Sequence, residues 1–307
     1  MLIRRNYLIL VLIAGGLVGL IGFRIPSALA ASDGTAKTLI TIESKDAQIP
    51  VLQAQDVMLY ENRKRVPVTE VTPLAGQPVE VYLAIDEAIG PAFGPFLNDL
   101  RSFINSQPAT VSIGVAYLRE GTANILQKPT ADRAAAAKAL RLPVANVGVS
   151  PFESITDLLK RWPETSARRE IVMISPGVEP FGAHEVDNPV VSEAVSAAQR
   201  AGVSVFVIYT QMGGHFGHSF WRATWAQAYL SRLADESGGE GYNINSTTIV
   251  SLTPFLDDIT QRMQRQFLVA FTPQPQAKSD FVPISARTEL PHVELVSPDR
   301  VWVPANQ

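Results

Sequence analysis

Between Val79 and Phe271, short apolar runs rich in β-branched residues alternate with segments of helical periodicity. Val79-Glu80-Val81-Tyr82-Leu83-Ala84-Ile85 closes on Asp86, and further runs cover 110–118, 171–174 and 203–209. Ile171-Val172-Met173-Ile174 has no polar break, as expected of a strand covered on both faces. Helical spacing marks 93–106, 131–140, 152–162, 219–236 and 252–265. The best-marked helix has Asn188 at its N-cap, Pro189 in its first turn and Gly202 just past its end. Strands that alternate with helices at this spacing predict an α/β fold with a doubly wound, mostly parallel sheet. Residues 121–127 are expected at an edge of it, and 267–271 as its last strand.

The flanks read differently. Thr38-Leu39-Ile40-Thr41-Ile42 alternates, and Asp56-Val57-Met58-Leu59-Tyr60 is a second extended stretch. Asn62-Arg63-Lys64 is a polar turn, 66–71 a third strand, and 73–78 a linker with Gly76 inside it. Residues 281–303 return to short strands. The expected division is a small N-terminal β module with linker at 31–78, the α/β domain at 79–273, and a β tail at 274–307 that pairs with the N-terminal module.

The first thirty residues read as an address. Arg4 and Arg5 precede an uncharged apolar run over 7–23, and Ala28-Leu29-Ala30 fits the small-x-small pattern of a signal peptidase site. Cleavage after Ala30 is expected, giving an exported protein, periplasmic or secreted. The rival expectation is an uncleaved membrane anchor, since the run nears the roughly 18 residues that span a bilayer. Cleavage removes three arginines and no acids, so the net charge goes from −3 to −6. Such an acidic chain disfavours nucleic acid as a partner. The absence of cysteine excludes disulfides, thiolate metal sites and cysteine nucleophiles. Stability must then come from an apolar core, which 277 residues can bury.

The order of elements resembles the von Willebrand factor type A fold. It is most similar to exported bacterial VWFA-related proteins of the acidobacterial type. Asp56-Val57-Met58-Leu59-Tyr60-Glu61-Asn62 matches that family's early "DF-x-L-x-E-[ND]-G" phrase. Leu230, Leu233, Ala234, Ser237, Gly238 and Gly239 match "L-x-x-L-A-x-x-[TS]-G-G". Gln266-Phe267-Leu268-Val269-Ala270-Phe271-Thr272-Pro273 matches "Q-[YF]-x-[LV]-x-[YF]-x-P".

The resemblance implies a divalent ion at the end of the first strand, held by an Asp and two hydroxyls of a D-x-S-x-S turn, a Thr and a second Asp. Here the turn reads Asp86-Glu87-Ala88-Ile89-Gly90, so both hydroxyl positions are lost. Ser150 stands for the Thr, and Pro176 in Ser175-Pro176-Gly177 for the second Asp. Asp86 and Ser150 alone would not hold Mg²⁺ or Mn²⁺ against its hydration shell, so the expectation is a degenerate adhesion site with no metal and no other cofactor. Glu87 and Glu179 are expected near the rim, as candidates for a substitute site. Asp86 also admits a plainer role, accepting loop amides at a buried strand end.

His215 and His218 flank Phe216 in a glycine-rich loop; an exposed recognition loop is expected there rather than a zinc pair. Phe216, Phe220, Trp221 and Trp225 cluster there; Trp221 and Trp225, four apart, share a helix face and are expected to pack into the core, with a partner-binding aromatic patch as the alternative. Ser150 is not in a nucleophile elbow, and no phosphate-binding glycine motif is present. Asp257-Asp258 reads as a solvated helix face. The expected function is non-enzymatic interaction with an unknown protein partner. Its surface would be formed by the loops carrying Asp86, Glu87, Ser150, Ser175, Glu179, His215, Phe216 and His218. The alternatives are an exported enzyme using His184, His215 or His218 with an acid, and a membrane-anchored component of a cell-envelope complex.

Overall fold

The computed structural model describes residues 34–44, 50–144, 150–180, 187–211, 220–244, 249–303 and 305, with the backbone alone at Phe220. The chain begins with β1 (Ala36–Ser44), β2 (Met58–Glu61), β3 (Lys64–Val66) and β4 (Val68–Pro73). It continues through β5 (Val79–Asp86), α1 (Leu97–Ser106), β6 (Val111–Arg119), β7 (Thr122–Thr130), α2 (Arg133–Lys138) and α3 (Pro151–Arg161). Next come β8 (Arg168–Ser175), α4 (Pro189–Ala201), β9 (Ser204–Tyr209), α5 (Phe220–Ser237), β10 (Gly241–Tyr242) and α6 (Thr253–Gln264). The chain closes with β11 (Gln266–Phe271), β12 (Asp280–Arg287), β13 (Val293–Val296) and β14 (Arg300–Val303).

Six strands form the central sheet in the order β10-β9-β8-β5-β6-β7. All of its pairings are parallel except β6 with β7. Alternate residues of β5, β8 and β9 enter two apolar clusters, one under α3, α4 and α5, the other under α1, α2 and α6. Helices on both faces are why these strands read as unbroken apolar runs. The doubly wound α/β class expected from the sequence is the observed one. The cap of α4 forms as its residues dictate: Asn188 Oδ1 accepts from Val190 N and Val191 N at 3.0 and 3.3 Å, and Gly202 takes a left-handed φ of 62°.

Two smaller sheets, β13-β1-β11-β4 and β14-β12-β2-β3, enclose a third apolar cluster that includes Ile40, Leu59, Val269, Phe271, Ile284 and Val303. The turn from β2 to β3 has Asn62 and Arg63 at φ 48° and 66°, the two left-handed positions of a tight hairpin whose twist suits its strands. β13 pairs with β1, and β12 with β2, so strands near the two ends of the chain share this core.

Two strand readings need correction. The single strand expected over 66–71 is two strands in two sheets, broken at Pro67, which has no N–H for a ladder. The strand expected to complete the central sheet at 267–271 pairs antiparallel with β1 and β4 instead. The edge beyond β9 belongs to the two-residue β10, too short to read from sequence.

Candidate functional site

Parallel strands point the same way, so β5, β6, β8 and β9 all end at one edge of the sheet. β5 ends on Asp86, which is 2% exposed. Its Oδ1 accepts from Ala88 N at 2.9 Å and its Oδ2 from the Ser175 hydroxyl, at the end of β8, at 2.7 Å. The Ser175 oxygen in turn accepts from Gly177 N at 2.8 Å. Burial pushes the Asp86 carboxyl up to about 6, and the bonds from Ser175 and Ala88 hold it from going higher.

Glu87 follows and is 1% exposed. It forms an ion pair with Arg141 and accepts the Val144 amide. The Arg141 guanidinium lies 3.9 Å from the centroid of the Tyr117 ring. The Tyr117 hydroxyl donates to Arg141 O at 2.5 Å and accepts from Arg141 N at 2.7 Å. Sequence reading missed Arg141 and Tyr117, since nothing local joins residues 54 apart from Glu87 to Arg141. Ser150 is the N-cap residue of α3, but its hydroxyl accepts no amide of the helix and donates to the Glu179 carboxylate at 3.0 Å instead.

Asp86, Glu87, Ser150, Ser175 and Glu179 are thus brought to one edge, and all five are buried beneath it. They fasten the loops to the sheet and to each other. Glu87 and Glu179 take different partners, Arg141 and Ser150. His184, His215, Phe216 and His218 lie outside the described residues, as does the leader read at 1–30. Trp225 is half-buried against Tyr229, as expected, but Trp221 is 74% exposed, contrary to the core role expected for it. It is in the first turn of α5, and among the described residues of that helix full burial begins only at Ala226. Asp258 is not simply solvated: it accepts from the Tyr242 hydroxyl at 2.7 Å and from Arg262 Nε at 2.8 Å.

The residues present do not fit the divalent ion that the family resemblance implies. Both Asp86 oxygens already face donors of this chain, Ala88 and Gly90 carry no oxygen in their side chains, and Pro176 has none to offer. Among the described residues, no group of three or more His, Asp or Glu is placed to hold a metal ion. No helix among them is long and apolar enough to cross a membrane.

The fold and this edge define the chain as a doubly wound α/β protein carrying an antiparallel β sandwich. Family models give no match to it. Curated proteins give none either. Among solved structures it is similar to the vWF domain of the type V pili tip protein Mfa5 from Porphyromonas gingivalis, at 12% identity, over 60% of this chain and 94% of that one, with a TM-score of 0.44. It is also similar to the manganese-loaded TRAP protein of Plasmodium vivax, at 14% identity, over 79% and 97% of the two chains, with a TM-score of 0.42. A third similar structure is the pilus adhesin SpaC from Lactobacillus rhamnosus GG, at 8% identity and a TM-score of 0.46; the match takes in 81% of this chain and 41% of the adhesin.

Proposed function

We propose that this protein is an exported, non-enzymatic interaction module of the von Willebrand factor A kind. It recognises a protein partner through the loop edge at the C-terminal ends of its parallel strands, without a bridging metal ion. The observation that carries this reading is the distribution of exposed large apolar side chains. Seven are exposed among the described residues, and Leu142, Val144, Trp221 and Val250 belong to this edge.

Their placement follows from hydrogen bonds. Leu142 and Val144 lie in the segment 141–144 that Glu87 holds through Arg141 and the Val144 amide. The end of α5 meets the start of β9, where Val205 N donates to Ser237 Oγ at 3.0 Å, so Trp221 in the first turn projects at the opposite edge. The end of α6 meets the start of β8, where Arg168 Nη2 donates to Met263 O at 3.0 Å, so Val250, ahead of that helix, is at the loop edge too. Apolar side chains gathered on one exposed edge are a feature of contact surfaces. Beneath them the polar groups bond to one another and leave no open carboxylate oxygen at Asp86 for an ion to bridge.

The test is photo-crosslinking in cells from positions 142, 144, 221 and 250, with Val51 and Leu126 as exposed controls. A discrete protein adduct from the edge positions alone, unchanged by EDTA, is expected. Adducts that need Mg²⁺ or Mn²⁺ would overturn metal independence. No adduct, or equal adducts from the controls, would overturn the recognition surface.

A further inference from the structure

A cavity of about 320 Å³ lies at the other edge of the central sheet, where that sheet meets the β sandwich. Its walls come from the turns that lead into β5, β8 and β9 and from the outward face of β1 and β11. Leu39, Leu74, Leu268, Pro78 and Ala167 make it largely apolar. The volume is within the range of small-molecule sites.

One lining group does not belong in a plain apolar gap. Arg169 is 8% exposed, and among the described residues it takes part in no ion pair. Its Nη2 donates to Ala201 O, at the end of α4, at 2.6 Å. The guanidinium carbon is 5.8 Å from the Trp162 ring centroid. That bond uses one of five N–H donors. Glu164, on the exposed rim, and Glu80, bound by Trp162 Nε1 at 2.7 Å, act on Arg169 only at longer range. Burial is the largest influence on the group and lowers its pKa.

The neighbouring Arg168 differs in having an ion-pair partner. It faces Glu170 at 3.1 Å and donates to Met263 O and Leu74 O at 3.0 and 3.5 Å. Glu164 also lines the cavity but is exposed at its rim, so among the described residues the buried charge there without an ion-pair partner is that of Arg169. A buried guanidinium without a counter-charge is costly, and an anionic ligand relieves that cost with bidentate hydrogen bonds.

We infer that this cavity binds a small amphipathic anion, whose carboxylate or phosphate head is held by Arg169 and whose short apolar tail lies against Leu39, Leu74 and Leu268. The site is separate from the loop edge, so it stands or falls independently of the partner-binding role.

The experiment is a thermal melt of the protein with decanoate, decyl phosphate or decan-1-ol, repeated with Arg169→Gln and Leu74→Trp. An anion that binds only the folded state raises Tm with the logarithm of its concentration above Kd, by roughly 5–10 °C at a hundredfold excess over Kd. The expected result is such a rise with at least one anion and none with the alcohol; the anion that acts identifies the head group. Both variants are expected to abolish the rise, Arg169→Gln by removing the charge and Leu74→Trp by filling the cavity. If Arg169→Gln does not fold, Leu74→Trp decides. No rise with either anion overturns the inference. So does an equal rise with decan-1-ol, or a rise that persists when the cavity is filled.

Discussion

The Ser175 hydroxyl, at the end of β8, donates to Asp86, at the end of β5, over 2.7 Å, and so ties two neighbouring strand ends together. Asp86 also accepts the Ala88 amide, so one carboxylate organises both the strand junction and the turn that follows it. Asp86→Ala strands a buried amide and a buried hydroxyl. It is expected to cost about 1–3 kcal/mol in urea unfolding. Mg²⁺ and Mn²⁺ are expected to leave Tm unchanged in the wild type and the variant alike. A metal-dependent rise present only in the wild type would contradict the structural role given to Asp86.

Glu87 and Arg141 make a second prediction. Arg141→Met leaves a buried carboxylate without its counter-charge and is expected to cost about 2–3 kcal/mol, moderated because Arg141 is partly exposed. Adding Glu87→Gln is expected to restore part of the loss. A double-mutant cycle measures the coupling, and strictly additive effects would dissolve the pair.

Glu170 sets a pH dependence. It is fully buried in β8, and burial pushes its carboxyl up to about 7 from an ordinary 4.5, against the pull of Arg168 and Gln266. A raised folded-state value means the folded chain holds the proton more tightly than the unfolded one. The contribution is complete below pH 4.5 and is lost as pH rises through 7. Unfolding free energies of the wild type and Glu170→Gln, measured from pH 4.5 to 8, are expected to shift in the variant's favour by on the order of 2–3 kcal/mol. Parallel curves would show that Glu170 titrates alike in both states.

Gly239 explains part of the phrase that ends α5. A Cβ there would sit 2.1 Å from Val205 O, and the backbone of β9 cannot yield. Gly239→Ala is expected to cost about 3 kcal/mol or more, or to prevent folding. Gly94→Ala, whose added carbon would meet Leu142 Cδ2 at 3.2 Å, is the control and is expected to cost less than about 1 kcal/mol. Equal melting temperatures for the two variants would refute the close approach.

At the loop edge, legibility stopped at a definite point. Asp86 was readable as the end of a buried strand because the apolar run stops there. The N-cap of α4 was readable because Asn188 and Pro189 act within one turn of chain. Arg141 was not readable as the partner of Glu87, because the contact depends on the loop after α2 returning to β5. Trp221 misled for a related reason: four-residue spacing shows that two side chains share a helix face, not whether the core covers both.

By itself the sequence determined the local structure of the described chain: which segments extend, which coil and where most of them stop. Those outcomes depend on side-chain periodicity, β-branching, proline and caps, all of which act over a few residues. Tertiary structure decided which strands pair. Thr38 lies opposite Val269, so β11 leaves the helix-wrapped sheet for a strand more than two hundred residues away. It also decided that Asp86 and Glu87 face donors of this chain, and that Arg169, among the described residues, is buried beside a cavity with no ion-pair partner. Pairing and burial depend on which surfaces meet, and that information is spread along the chain rather than held in any one segment.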